Sequence, residues 1–161
     1  MDRLSGDTGP DHLGRGTAGA GGLIACGVIA ILGAVAVLHV IWALRIWWPL
    51  ADEAALARTV VGSPGITLMP GAPITWAVAA VLVAGMVLVA ALAGWIILPG
   101  PVWMLRAGGW GMALVLLARG LATYLPFVSR WPLEQPFARL NRALYSPLIT
   151  ALGLGVVALL L

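Results

Sequence analysis

The sequence predicts an all-α fold: an integral membrane four-helix bundle with two longer loops on one face and a flexible N-terminal tail. Three observations carry that prediction. Hydrophobic residues make up 61% of the 161 positions and charged residues only 9%, against about 25% charged in an ordinary soluble domain. Four apolar segments approach the roughly 20 residues needed to cross a bilayer core. Tryptophans gather near the segment ends, where amphipathic rings prefer the boundary between hydrocarbon and water.

The first element, Met1–Gly21, is rich in Gly and short polar residues and contains Asp2, Asp7, Asp11 and His12. It has too few apolar side chains to offset the entropy of ordering and reads as a flexible tail. The remainder, 22–161, reads as one transmembrane domain with helices at about 23–47, 75–98, 102–124 and 145–161. The run from Leu23 to Trp47 is longer than a signal-peptide core of about 7–15 residues, and no small-residue cleavage site follows it, so it reads as a retained helix. Pro99–Gly100–Pro101 leaves room only for a tight turn, which makes the second and third helices a hairpin.

The other two connections are longer, and both emerge at the opposite end from that turn. Between Trp48 and Ile74 lie Asp52, Glu53 and Arg58, with a short interfacial helix expected over Ala54–Val61, followed by a Gly/Pro-rich stretch. Between Leu125 and Leu144 lie Arg130, Glu134, Arg139, Asn141 and Arg142. Trp47, Trp48, Trp76 and Trp131 mark this end of the bundle, and Trp95 and Trp103 mark the other. Arg45, Arg58, Arg130, Arg139 and Arg142 outnumber Arg3, Arg15 and Arg106, so the positive-inside rule places the long loops in the cytoplasm. Small residues at four-residue spacing, Ala80 with Ala84 and Ala90 with Gly94, let the second helix approach a neighbour closely.

Composition also excludes classes of function. All nine basic residues are Arg, and the net charge of +3 is dispersed over helix ends and loops. Without a clustered basic face, nucleic acid is not an expected partner. Cys26 is the only cysteine, so an intramolecular disulfide, a CxxC redox pair and a cysteine zinc cluster are ruled out. Neither a metal site nor a cofactor is expected, because Cys26 and His39 on one helix make no recognisable ligand set.

Two ionisable side chains, His39 and Arg119, stand inside apolar segments and lie toward the long-loop end. A charged group near the bilayer core costs roughly 2.5–3.5 kcal/mol on insertion scales, and it persists where it meets partners, water or a ligand. His39 and Trp42 stand at i and i+3 and share a helix face. Trp76, Tyr145 and Ser146 begin helices at the same depth, beneath loops carrying Arg139 and Arg142. These eight residues outline a polar cavity opening to that face. The structural alternatives are a His39 that merely bonds a neighbouring backbone carbonyl and an Arg119 that snorkels to headgroups. Arg139 and Arg142 have an equally plain alternative as loop charges on lipid phosphate or Glu134. No Asp or Glu stands in any of the four segments, so a cation pathway or carboxylate proton relay lacks its usual residues. An anionic or polar headgroup with an acyl or isoprenoid tail fits the Arg fork and the Trp wall better.

Several words of the chain carry a resemblance: His39-Val40-Ile41-Trp42-Ala43-Leu44, Pro73 to Val78, Leu117-Ala118-Arg119-Gly120, and Phe137-Ala138-Arg139 leading through Asn141 and Arg142 to Leu144-Tyr145-Ser146-Pro147-Leu148. Together, over roughly Leu23 to Leu161, they resemble the small bacterial membrane-protein family catalogued as domain of unknown function 3995. The resemblance implies a four-helix membrane protein, in the bacterial inner membrane, without implying a reaction. Where that family commonly has an Asp before the Tyr-Ser-Pro word this chain has Asn141, and Leu44-Arg45 replaces a glycine pair.

The functional expectation is a small membrane binding or accessory subunit rather than an enzyme. It would dock on a larger membrane complex or on itself, or hold a lipid or quinone-like ligand among membrane lipids. The alternative is an enzyme on a lipidic substrate, with His39 as acid or base and Arg119 stabilising an anion.

Overall fold

The computed structural model describes residues 11–126 and 132–161, with residues 11–18 described by backbone alone. Among the described residues the chain is helical with no strand. In order, the helices are α1 (Asp11–Ala43), α2 (Glu53–Val60), α3 (Ala72–Leu92), α4 (Val102–Ala122), α5 (Phe137–Leu140), a π-helical turn (Asn141–Tyr145) and α6 (Ser146–Leu160). Of the tail expected over 1–21, residues 1–10 lie outside the described residues, and the backbone is already helical from Asp11. Arg130 and Trp131 likewise lie outside them.

Helix ends follow local chemistry. At the end of α1, Ile46 N–H donates to Ile41 O (3.1 Å) and Arg45 N–H to Trp42 O (3.0 Å), the bonds of a Schellman cap. Arg45 occupies the left-handed position at φ 64°, where a glycine would carry no Cβ strain. The helix therefore stops at Ala43 rather than running on to Trp47, and the Trp42 indole N–H donates to Trp48 O (2.8 Å) across the bend. The same cap ends α3, with Gly94 at φ 73° and bonds from Gly94 to Ala91 O (3.0 Å) and from Trp95 to Ala90 O (2.9 Å). At the start of α2, Asp52 Oδ1 accepts from Ala55 N–H at 2.7 Å, a side-chain N-cap.

The last helix begins well before Tyr145. Pro147 lacks an N–H and ordinarily ends a helix on its N-terminal side. The π turn resolves this: Ser146 N–H bonds Asn141 O, five residues back, and α5, the turn and α6 form one helical segment from Phe137 to Leu160.

Packing is most extensive between α1 and α3 and between α4 and α6, and contacts of α1 with α6 and of α3 with α4 join these pairs. The core is aliphatic, with Ala25, Val28, Leu32, Val89, Leu152 and Val156 at its centre. Gly120 lets α4 and α6 touch: a Cβ there would overlap Thr150 Oγ1 and come within 2.9 Å of Thr150 N. At one end Arg106 Nη2 donates to Leu160 O (2.8 Å), satisfying a terminal carbonyl of α6.

Three helical segments are long and apolar enough to cross a membrane, namely Gly19–Ala43, Ala72–Leu92 and Phe137–Leu160. The fourth expected span, α4, is as long as α3 at 21 residues but carries Arg106 and Arg119 and is not among them.

Candidate functional site

Beneath the long loops lies a partly enclosed cavity of about 670 Å³. This falls inside the range of roughly 300–1,000 Å³ typical of small-molecule sites. Its walls are helical side chains: Leu32, Val35 and Leu38 of α1, Thr75 and Leu82 of α3, Leu116 of α4, and Ile149 and Leu152 of α6. Its roof is Leu56, Thr59 and Val60 of α2 with Pro49 from the chain before that helix and Met69 from the chain after it, and Phe137 of α5 also lines it.

The roof is anchored by specific bonds. Leu56 and Ala57 turn the inner face of α2 to the protein at 1% and 0% exposure. Tyr145 Oη donates to Thr59 O at 3.4 Å. Glu134 ties the two long loops together, its N–H donating to Gly62 O (3.0 Å) and its Oε1 accepting from Gly65 N–H (2.7 Å). Glu53 Oε1 accepts from Met69 N–H (3.1 Å) and lies 3.5 Å from Arg45 Nη1. Gly62, at φ 71°, lies directly on the Phe137 ring, which a Cβ would overlap.

His39, Trp42, Arg119 and Tyr145 all line this cavity, contributed by α1, α4 and the π turn. His39 Nδ1 lies 2.8 Å from Val35 O. A carbonyl only accepts, so Nδ1 carries a proton, and in the neutral ring Nε2 is left as the acceptor. The His39 and Trp42 rings stand 5.1 Å apart, tilted at 53°.

Arg119 is held by a polar network between α4 and the π turn. Its Nη2 donates to Asn141 Oδ1 at 3.2 Å, and Asn141 Nδ2 donates to Thr123 Oγ1 at 3.0 Å. Ser146 Oγ donates to Thr123 Oγ1 at 2.7 Å and lies 3.4 Å from Asn141 Oδ1. Asn141 and Ser146 are buried, and no buried side-chain polar atom among the described residues lacks a partner. Ser146 therefore stands behind Arg119 as part of its support rather than in the cavity wall.

Three expected residues are not brought together with these. Trp76 is half exposed and borders a separate apolar groove with Val40, Ala79 and Val83. Its neighbour Thr75 faces the cavity instead, because adjacent helical residues point about 100° apart. Arg139 and Arg142 are exposed, and on their segment Phe137, Asn141 and Tyr145, at four-residue spacing, take the inward face. Sequence reasoning missed the inward roles of Thr75, Phe137, Met69 and Leu56, although the i, i+4, i+8 run from Phe137 was a readable signal for one of them. Among the described residues no cluster of His, Cys, Asp or Glu could hold a metal ion.

The arrangement can enclose an apolar chain and offer a guanidinium, an imidazole and a phenol to a polar group. The family model described as Protein of unknown function (DUF3995) matches residues 32–156, which include His39, Arg119, Asn141 and Tyr145. No curated protein and no solved structure matches the chain.

Proposed function

From the premise that the chain belongs to the DUF3995 family, we propose that it is a small integral membrane protein that holds a lipid-like amphiphile in the cavity beneath its loops. In this reading α1, α3, α4 and α5–α6 form a four-helix transmembrane bundle in a bacterial cytoplasmic membrane, with the cavity opening toward the long-loop face. Outward-facing Val81, Leu114 and Leu154 are 57–70% exposed. Apolar side chains so placed suit hydrocarbon rather than water. Exposed Trp48, Trp95 and Trp103 suit the two interfaces.

The observation that carries the reading is one cavity of about 670 Å³ in which an almost wholly apolar wall meets His39, Arg119 and Tyr145. Such a pocket buries a hydrocarbon chain, while a few convergent polar groups fix its head. Each polar residue is held by another protein group, His39 by Val35 O, Tyr145 by Thr59 O and Arg119 by Asn141 Oδ1, and such preorganisation lowers the entropic cost of binding.

Gentle purification from the native membrane, followed by mass spectrometry of what accompanies the protein, tests this. One enriched lipophilic molecule, lost in His39→Ala or Arg119→Ala, is the expected result. A stoichiometric protein partner, with only bulk lipid alongside it, would favour the accessory-subunit reading instead.

A further inference from the structure

Deepening the ligand-binding reading, on which it rests, we infer that the cavity takes a single-chain amphiphile whose anionic head, a carboxylate or phosphate monoester, sits on Arg119. Charge is the first argument. Among the described residues Arg119 is the only Arg in the cavity wall, and no Asp or Glu lines it. The described acids are engaged elsewhere: Asp52 caps α2, Glu53 meets Arg45 and Met69, and Glu134 holds Gly65. The hydrogen-bond partner of Arg119 is instead a neutral amide, Asn141 Oδ1 at 3.2 Å, so its charge has no counter-ion among the described residues.

A guanidinium offers five N–H donors in a planar fork, and Asn141 uses one edge only. The remaining donors suit two oxygens of one anion. Asn141 is itself fixed by Thr123, so the fork is aimed before anything binds. A cationic head would meet like charge, and a zwitterionic head would find no carboxylate for its ammonium. His39 adds one group: with Nδ1 committed to Val35 O, Nε2 accepts from a hydroxyl when neutral and donates to the anion when protonated.

Size is the second argument. At about 30 Å³ per non-hydrogen atom, the share of a water molecule in liquid, a cavity of about 670 Å³ holds roughly twenty atoms. That matches one long acyl chain with its head. A diacyl phospholipid has on the order of fifty, more than this volume encloses.

The test uses the full chain in nanodiscs of zwitterionic lipid, photolabelled with a diazirine-bearing palmitate. Palmitate, hexadecyl phosphate, hexadecanol, hexadecyltrimethylammonium and a diacyl phosphatidylglycerol serve as competitors. Labelling is expected on cavity residues of α1, α3 or α6, with palmitate or hexadecyl phosphate competing at least about tenfold better than hexadecanol, a difference of about 1.4 kcal/mol. Whichever of the two is stronger identifies the head as carboxylate or phosphate. Asn141→Asp, which keeps the side-chain shape but neutralises Arg119, is expected to bring that ratio to within about twofold, and Arg119→Gln to do the same. Equal competition by hexadecanol in the unaltered protein would overturn the anionic head while leaving the cavity reading intact. Stronger competition by the diacyl lipid would overturn the single chain. Absence of label from every cavity residue would overturn both this inference and the cavity reading.

Discussion

Arg119 on α4 donates to Asn141 in the π turn across 3.2 Å, joining a guanidinium of the cavity wall to the irregular turn that precedes α6. The bond explains how an Arg inside an apolar segment is both tolerated and aimed. Asn141 is 4% exposed and simultaneously bonds Thr123, so the pair belongs to a satisfied network rather than a loose surface contact.

Removing the amide should therefore be felt in the fold. Asn141→Ala takes from Arg119 its partner and leaves Thr123 bonded to Ser146 alone, and it is expected to cost about 1–3 kcal/mol. A lowered thermal unfolding midpoint in detergent would show it. An unchanged midpoint would mean that the network carries no stability.

The approach of α4 to α6 makes a second prediction. Gly120→Ala places a Cβ against Thr150 and should destabilise by about 1–3 kcal/mol. Gly111→Ala, at a position with nothing within 4 Å, gains helix propensity and should be neutral or slightly stabilising. Comparing the two unfolding midpoints separates packing from composition.

Much of this architecture was legible in the sequence. Apolar runs marked helices at α1, α3 and α4, a short helix expected over Ala54–Val61 is found one residue earlier as α2, and the i, i+3 spacing put His39 and Trp42 on one face, as found. The beginning of the last helix was not legible, because Pro147 is locally a breaker and only the five-residue bond from Ser146 to Asn141 carries the helix past it. Nor was the roof, since bonds such as Tyr145 to Thr59 join residues 86 positions apart and leave no local periodicity. Trp76 was chosen for its identity, whereas burial selects by angle around the helix axis, and that favours Thr75.

The roof yields a third prediction. Gly62→Ala combines a left-handed backbone with a clash on Phe137 and should loosen α2 from α5. In a Cys26→Ser background, thiol labelling of Leu56→Cys, at a site 1% exposed, should speed up several-fold when Gly62→Ala is added. Gly65→Ala, with equal backbone strain at φ 72° but open space around it, should have the smaller effect.

The two arginines of α4 should separate by function. Arg106 donates to Leu160 O at the far end of the protein and lies outside the cavity wall. Arg106→Gln should cost about 1 kcal/mol of stability and leave ligand retention unchanged, whereas Arg119→Gln should lower retention. Parallel unfolding and lipid-extraction measurements check both halves of this contrast.

The most direct test of the cavity itself is to fill it. Ile149 lines it from α6, and Ile149→Trp places an indole in the space an apolar chain would occupy. The measurement is the molar ratio of bound lipophile to protein, by quantitative mass spectrometry, for the unaltered protein and for Ile149→Trp with its fold verified. One enriched species near one molecule per protein is expected, falling at least about tenfold in the filled variant. The same bulk-membrane lipid profile in both proteins would contradict it.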